Sequence, residues 1–137
     1  MRVHQHQVRY HEVDAQGFMF NARYLEIVDV AMAEYFRALG WTYAELGACG
    51  ADPSVVSANL SFSKPARHDD ILVVTVACLR VGISSFSLSF EFSRAEESVA
   101  VAELVYVNVD PAVAAARPLP PPVADALRAH VPSRGRS

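Results

Sequence analysis

The chain has 137 residues, of which 52% are hydrophobic and 20% are charged. This composition excludes an intrinsically disordered or collagen-like protein, and the length suits a single domain with one core. The formal net charge is -3 at pH 7, so no basic surface is expected to bind nucleic acid or an anionic membrane. The one basic cluster, Arg134 and Arg136, is too small to alter this expectation.

Two cysteines, Cys49 and Cys78, lie outside any Cys-x-x-Cys pair, which favours reduced thiols over a disulfide framework. The N-terminal residues 1–6 lack the apolar run of a signal peptide. No stretch approaches the roughly 18 apolar residues of a membrane span. We therefore expect a cytoplasmic protein with neither a membrane nor a nucleic-acid partner.

The first third of the chain predicts a strand, a turn and a long helix. Val3–Val13 carries valine and tyrosine without glycine or proline, which favours a strand, and Asp14–Gly17 has the composition of a turn. Apolar residues recur every three or four positions over Ala22–Leu39, which predicts a helix with a wide apolar stripe. Asn21 stands at the expected N-cap and Gly40 at the expected left-handed C-terminal position.

A short helical turn at Trp41–Leu46, ended by the Gly47–Gly50 break, leads into four predicted strands. Those strands are Val56–Ser63, Ile71–Leu79, Ser85–Ser93 and Val99–Val109. Ile71–Leu79 is apolar at both parities, so we expect it to be central and covered on both faces. The short connections between the later strands favour antiparallel hairpins.

The composition changes after Asp110. Arg117–Pro122 is rich in proline and is expected to be extended. Val123–Val131 predicts a short helix, and Ser133–Ser137 is expected to be disordered. The chain is thus interpreted as one domain over residues 1–137, with a core at about 3–110 and a tail at 111–137.

These elements predict an α+β fold in which an antiparallel sheet of about five strands wraps around one long helix. Such a sheet leaves unpaired edges, and pairing with a second copy of the chain would remove that liability. A homodimer is therefore the physical expectation.

The densest mixture of polar and apolar residues surrounds Asp14. A carboxylate at a strand exit can serve as a general base or a nucleophile. The apolar segment Phe18–Phe20 would keep water scarce, and the following helix start offers free amides and a partial positive charge. A carboxylate beside such donors points to acyl-transfer chemistry.

The pattern around this acid resembles a known family signature, read here as Tyr10-x-Glu12-Val13-Asp14-x-x-Gly17-x-x-x-Asn21-x-x-Tyr24-Leu25. It is similar to that of the hotdog-fold acyl-CoA thioesterases, in the branch of 4-hydroxybenzoyl-CoA thioesterase and the Tol–Pal-associated bacterial thioesterases. Phe62–Asp70 and Val81–Phe86 also resemble that family, and the likeness covers roughly Val8–Asp110. It implies the hotdog fold and hydrolysis of an acyl-CoA or acyl-carrier-protein thioester.

The resemblance assigns roles to four residues of the motif. Asp14 would be the catalytic aspartate that attacks the thioester or activates water. Gly17 would be the turn glycine that lets the backbone approach the acyl group. Asn21 would aim its backbone N–H at the thioester oxygen, and Tyr24 would be the aromatic residue on the first turn of the helix.

Further residues are assigned to substrate binding. Ser84 and Ser85 fall in the segment that in relatives meets the pantetheine arm across the dimer interface. Arg67, Arg80 and Arg117 are candidates for nucleotide-phosphate contacts on charge alone. An apolar acyl pocket is expected from Phe18, Met19, Phe20, Tyr24 and Val28. No metal or redox cofactor is expected, since CoA is part of the substrate, and the other partner is a second copy, in a dimer or a tetramer.

Several alternatives stay open. A dehydratase or hydratase on the same fold would want a histidine beside the acid, for which His11 is the nearby candidate. Another alternative is a non-catalytic protein that binds acyl-CoA or acyl-carrier protein. Some relatives place their carboxylate on the central helix, but Glu26, Asp29 and Glu34 are expected on solvated or interface faces. His4 and His6 share a strand face without a third ligand, which favours an exposed strand over a metal site.

Overall fold

Five strands form one curled antiparallel sheet in the computed structural model of the chain, which describes residues 1–132. They are β1 (Arg2–Gln7), β2 (Pro53–Phe62), β3 (Ile71–Val81), β4 (Ser85–Arg94) and β5 (Glu97–Asp110). Their order across the sheet is β1-β3-β4-β5-β2, and a two-residue strand, β6 (Ala115–Ala116), pairs with β5. The helices are α1 (Asn21–Leu39), α2 (Tyr43–Cys49) and α3 (Pro121–Ala129), with a 3-10 helix at Tyr10–Glu12. The α+β prediction is confirmed, while the disorder expected of Ser133–Ser137 lies outside the described residues.

The central strand is β4, whose pattern the sequence predicts well. Its apolar side chains, Phe86, Leu88, Phe90 and Phe92, are all fully buried. The prediction that β3 is covered on both faces is wrong for the single chain. Leu72 and Val74 are buried, but the intervening Val73 and Thr75 are partly exposed. One face of β3 packs inward and the other faces outward, because the helices lie on one side of the sheet.

Strand β1 ends earlier than the predicted Val3–Val13 segment. Beyond Gln7 the backbone leaves the ladder, and the Val8 N–H donates to the Asp70 carbonyl at 2.8 Å. Residues Tyr10–Glu12 then form the 3-10 helix, because the Glu12 carboxylate accepts the Arg9 N–H at 2.7 Å. The strand thus ends where its partner β3 begins, at Ile71 opposite Gln7, and the local side-chain contact starts the 3-10 helix.

Helix α1 begins one residue before the predicted position. Phe20 is the N-cap residue and provides no side-chain hydrogen bond, so the prediction of Asn21 as N-cap is wrong. Phe20 is held from outside the helix, since its N–H donates to the Glu12 carbonyl at 2.8 Å. At the other end Gly40 adopts φ +117°, and its N–H bonds to Phe36 and Arg37 carbonyls, as predicted.

Helix α2 is longer than the helical turn predicted at Trp41–Leu46. A capping box starts it, in which Thr42 Oγ1 accepts the Glu45 N–H at 3.1 Å and Glu45 Oε1 accepts the Thr42 N–H at 2.9 Å. The helix runs through Gly47 and ends at Gly50. None of the helices within residues 1–132 is long and apolar enough to cross a bilayer.

The tail contributes to the core, which therefore continues past the expected limit of about residue 110. Leu119, Val123 and Leu127 are buried, and α3 packs against β3. The Leu119 N–H donates to the Ile83 carbonyl at 2.8 Å, which docks the extended segment before α3.

One buried polar side chain, that of Asn108, joins this tail to the sheet. Its Nδ2 donates to the carbonyls of Gly50 and Pro118, each at 3.0 Å, and its Oδ1 accepts the Asp52 N–H at 2.7 Å. The residue is fully buried. Because every polar atom of the side chain has a partner, its burial carries little desolvation cost.

We expect Asn108→Ala to lower the free energy of unfolding by about 3 kcal/mol, because it leaves an N–H and two carbonyls unpaired in the interior. Urea denaturation measures this loss. Asn59→Ala, which changes an exposed asparagine on β2, is the matched control and should stay within about 0.5 kcal/mol of the parent chain. Equal stability of the two variants would contradict the role given to Asn108.

Candidate active site

Asp14 lies in a tight turn between the 3-10 helix and α1. Its N–H donates to the Phe18 carbonyl and its carbonyl accepts the Gly17 N–H, both at 2.9 Å. Its Oδ1 accepts the Gln16 N–H at 2.9 Å, which closes the turn from inside. Gly17 has φ +81°, a left-handed backbone conformation that residues with a Cβ atom rarely adopt. The carboxylate is thus held by backbone on one oxygen, while Oδ2 accepts no hydrogen bond from residues 1–132.

The first turn of α1 offers backbone donors beside this turn. Without a side-chain cap, the N–H groups of Asn21 and Ala22 find no acceptor within the described part of the chain. They also lie at the positive end of a 19-residue helix. Because no side chain caps the helix, these two N–H groups stay available to bind a ligand.

A cavity of about 390 Å³ opens beside the start of α1. Nine residues line it: Phe18, Met19, Asn21, Tyr24, Phe62, Ser63, Lys64, Pro65 and Ala66. The Asp14 side chain is not among them, but its hydrogen-bond partner Phe18 is. Phe18 thus places the cavity beside the turn that carries Asp14, and Asn21 places it beside the start of α1.

Aromatic rings form much of the cavity wall. Tyr24 is buried, and its ring makes edge contacts with Phe62 at 5.1 Å and Phe92 at 5.0 Å between ring centroids. Burial raises the pKa of the Tyr24 hydroxyl, so it stays protonated. At the rim, the Arg67 guanidinium lies 4.9 Å from the centroid of the Phe18 ring.

Residues 63–66 form another part of the wall, in a loop over residues 63–70 that Arg94 joins to the sheet. Arg94 Nη1 donates to the Pro65 carbonyl at 2.9 Å and to Asp70 Oδ2 at 2.7 Å. Asp70 Oδ2 also accepts the Arg67 N–H at 2.8 Å. Burial would raise the pKa of Asp70, but these hydrogen bonds and the charge of Arg94 outweigh it and hold that pKa below its ordinary value.

The same loop is hydrogen-bonded to the segment that follows the Asp14 turn. The Met19 N–H donates to the Ala66 carbonyl at 2.7 Å, and Phe18 and Arg67 form an antiparallel bridge. The loop and the turn therefore form one hydrogen-bonded unit, which lines the cavity together with α1 and Phe62 of β2.

Ser84 and Ser85 lie far from this cavity within one chain. Ser85 begins β4, whereas Phe92, which contacts Tyr24, lies near its other end. Seven residues of extended strand separate them by roughly 24 Å. The structure thus does not bring these serines together with Asp14 inside a single copy.

Arg80 and Arg117 are also remote. Arg80 lines a separate groove with Ser57, Asn59 and Glu103, at positions on the outer face of the sheet. Arg117 donates its N–H to the Asn108 carbonyl at 3.0 Å, beside the tail. Of the three arginines selected by charge, Arg67 alone reaches the cavity rim.

The expected acyl pocket is only partly the observed one. Phe18, Met19 and Tyr24 line the cavity, but Phe20 is exposed and Val28 is buried in the core, so the expectation was wrong for these two. Ser63–Ala66 were missed as wall residues. The signal available was the end of a strand at Pro65, which predicts a loop without saying what that loop faces.

The alternative carboxylates of α1 do not line the cavity. Glu26 and Glu34 pair with Arg23 and Arg37 on the helix surface, at 3.0 and 3.5 Å. Asp29 is exposed. Within residues 1–132, no three histidine, cysteine, aspartate or glutamate side chains are grouped so that they could hold a metal ion.

Comparison with known proteins gives one family and several relatives. Residues 8–127 match the model of the thioesterase-like superfamily. YneP from Bacillus subtilis, named as a candidate acyl-CoA thioesterase, is 32% identical over 68 residues, which are 50% of this chain and 49% of that protein.

Two solved structures show the same fold. BH1999 gentisyl-coenzyme A thioesterase is 23% identical with a TM-score of 0.82, over 92% of this chain and 99% of that chain. Slr0204 from Synechocystis, a 1,4-dihydroxy-2-naphthoyl-CoA thioesterase, is 22% identical with a TM-score of 0.79, over 91% of this chain and 93% of that chain.

We expect Asp70→Asn to lower the free energy of unfolding by about 2 kcal/mol at pH 7, because Arg94 loses a charged acceptor at the cavity wall. The lowered pKa of Asp70 means that its contribution exists above the unfolded-state pKa of about 3.9. The contribution disappears as the pH falls through the folded-state value.

Urea denaturation of both proteins at several pH values from 7 downward measures this difference. Asp69→Asn is the matched control, since Asp69 is the exposed neighbour and its only side-chain contacts within residues 1–132 are with Gln7 and His68. A stability difference independent of pH, or an equal loss in the control, would contradict the assignment to Asp70.

Proposed function

The chain belongs to the thioesterase-like superfamily, and from that premise we propose that it hydrolyses an acyl-CoA thioester to the free acid and CoA. Asp14 is the catalytic carboxylate in this proposal. The N–H groups at the start of α1 hold the oxyanion, and the cavity beside them receives the acyl group. An acyl-carrier-protein thioester is the other form of the same substrate.

One observation carries the proposal: the turn that holds the Asp14 carboxylate and an uncapped helix start adjoin the same cavity. Asp14 retains an oxygen without a partner in the described chain, and its turn is bonded to Phe18 of the cavity wall. Asn21, whose N–H is free, lines the same cavity, and Ala22 with its free N–H is the next residue of α1. Thioester hydrolysis needs this pair of features, a base or nucleophile and a donor set for the developing negative charge.

The chemistry can follow two routes from this geometry. Asp14 can take a proton from water as the water oxygen bonds to the carbonyl carbon, after which the carbon–sulfur bond breaks and the CoA thiolate leaves and is protonated. Alternatively, the Asp14 oxygen bonds to the carbonyl carbon and displaces the thiolate, and water then hydrolyses the resulting anhydride. Both routes need the same oxyanion donors.

We extend the proposal to the acyl group and the branch of the family. Tyr24 and Phe62 both line the cavity, and their rings contact each other in a T-shaped arrangement, so the wall offers aromatic surface to another ring. The two structural neighbours described above are named for aromatic acyl groups. An aromatic acyl group, as in the 4-hydroxybenzoyl-CoA branch, is therefore the substrate class we propose first, before medium-chain fatty acyl groups.

The proposal includes a second copy of the chain. Strand β2 is an edge of the sheet with a ten-residue length, and its Val55 and Val56 are exposed. A long apolar edge of this kind favours pairing with another chain. Ser84 and Ser85 could then meet the pantetheine arm from the partner copy, since they are remote from the cavity of their own copy.

The dehydratase alternative receives less support. It depends on a histidine beside the acid, and His11 is exposed on the 3-10 helix. It is not among the residues that line the cavity.

We expect Asp14→Asn to lower kcat for acyl-CoA hydrolysis by about 10²-fold or more, because the amide can neither take a proton nor attack the thioester. Release of free thiol over a panel of aromatic, short and long acyl-CoA substrates measures the rate. Asp125→Asn changes an exposed carboxylate on α3 and should keep the parent rate. Full activity in Asp14→Asn would remove Asp14 from the mechanism, and no turnover of any thioester by the parent chain would contradict the proposed function.

A Val55→Lys/Val56→Lys double variant should dissociate the proposed dimer, because lysines of the two copies would face each other where their β2 edges pair. We expect the parent chain to sediment as a dimer or larger and the variant to associate at least about tenfold more weakly. Hydrolysis should fall in parallel if the partner completes the site. Val113→Lys, at an exposed loop valine, is the control, and an unchanged assembly in the double variant would exclude β2 as the interface.

A further inference from the structure

Glu12 is the one charged side chain within residues 1–132 that is buried, with 7% of its surface exposed. Burying a carboxylate is costly unless it is paired and hydrogen-bonded. Here Oε1 accepts the Arg9 N–H at 2.7 Å and a hydrogen bond from His6 Nε2 at 2.8 Å. His6 lies on β1, opposite the apolar Leu72 of β3. The proposed hydrolysis does not use Glu12, so its burial needs another explanation.

The backbone of Glu12 supports both halves of the proposed site. Its carbonyl accepts the Phe20 N–H at 2.8 Å, which fixes the residue that begins α1. Val13, the next residue, bridges Met19, and Asp14 follows it. The side chain of Glu12 therefore anchors a backbone segment with two contacts to the site. This segment leads directly into Asp14, and its Glu12 carbonyl binds the residue that begins α1.

We propose that Glu12 is a positioning residue for Asp14 and that His6, through its hydrogen bond to Glu12, sets how firmly the Asp14 turn is held. This inference rests on the proposed function of Asp14. A carboxylate anchored to a strand of the sheet can hold a turn within the small tolerance that catalysis requires, since a misplacement of about 1 Å can cost about 10²-fold in rate.

Neighbouring charges favour an ionised Glu12. Burial would raise its pKa, but the Arg9 N–H, the His6 hydrogen bond and the charges of His6 and His11 outweigh burial and hold the pKa below its ordinary value. Glu12 is therefore an anion at neutral pH, so the hydrogen bond that it accepts from His6 is charge-assisted.

His4 provides a matched comparison on the same strand. Its ring centroid lies 6.3 Å from that of His6, but it makes no hydrogen bond to Glu12 within the described residues. Burial lowers the pKa of His4, the charge of His6 lowers it further, and Glu34 of α1 acts in the opposite direction. A change at His4 therefore alters the surroundings of His6 without removing the bond to Glu12.

The test compares His6→Ala, His6→Gln and His4→Gln in hydrolysis of an aromatic acyl-CoA. We expect His6→Ala to lower kcat about tenfold with little change in KM, because Asp14 is displaced while the cavity remains. His6→Gln keeps a side-chain N–H donor and should recover most of the loss. A loss confined to KM, a failure of His6→Gln to recover the rate, or an equal loss in His4→Gln would overturn the proposal.

A second measurement does not depend on activity. Amide hydrogen exchange of Phe20 reports the bond to the Glu12 carbonyl, and it should become about tenfold faster in His6→Ala than in the parent chain or in His4→Gln. Equal exchange in all three proteins would overturn the inference even if Asp14→Asn abolishes hydrolysis. Faster exchange in His6→Ala together with full activity in Asp14→Asn would show that His6 holds this backbone but that the proposed function of Asp14 fails, so the two failures are distinguishable.

Discussion

The packing of α1 along β4 fixes where the start of the helix lies relative to the sheet, and the candidate site depends on that position. Tyr24 on the first turn of α1 contacts Phe92 near the end of β4, and Phe36 near the end of α1 contacts Phe86 near the start of β4. Twelve residues of helix rise roughly 18 Å, and six residues of strand extend roughly 20 Å. Helix and strand thus match in length and run in opposite directions. Burial of these rings contributes about 2 kcal/mol each, so neither end can shift without losing a contact.

This match forces the start of α1 to one end of the sheet, where it has no side-chain cap. Ordinarily a serine, threonine or aspartate would occupy the free amides of such a helix. Here Phe20 holds the N-cap position, and its own N–H is bound by Glu12 from outside the helix. The helix start is stabilised by tertiary contacts instead of a cap, which leaves its amides free at the cavity. Glu12 and Phe20 therefore stabilise the helix start, while the amides of Asn21 and Ala22 remain free for the proposed chemistry.

Sequence patterns predicted the elements whose signals are local. The alternation over Ser85–Ser93 matches β4, and Gly40 ends α1 because a left-handed residue is needed there. Predictions failed where a distant partner decides the outcome. Strand β1 stops at Gln7 because its partner strand β3 begins at Ile71, and this contact joins residues more than 60 positions apart. No local pattern in residues 3–13 records that contact.

The candidate site divides in the same way. Asp14, Gly17 and Tyr24 were chosen from one continuous motif, and the turn and helix start place them at or next to the cavity. The wall formed by residues 63–66 was missed because it comes from a loop whose position depends on Arg94, at the end of β4. A motif predicts chemistry along one segment, whereas a cavity requires two segments to meet.

The antiparallel match of α1 and β4 also bears on the proposed pairing with a second copy. Because the helix start lies at the Phe92 end of β4, the serines at the other end are remote from the cavity of their own chain. Pairing of two β2 edges in antiparallel fashion relates the copies by a two-fold axis. Such an axis reverses the direction of the partner's sheet, so the far end of one copy lies beside the near end of the other. The geometry that separates Ser84 and Ser85 from Asp14 in one chain is thus the geometry in which a dimer could bring them together.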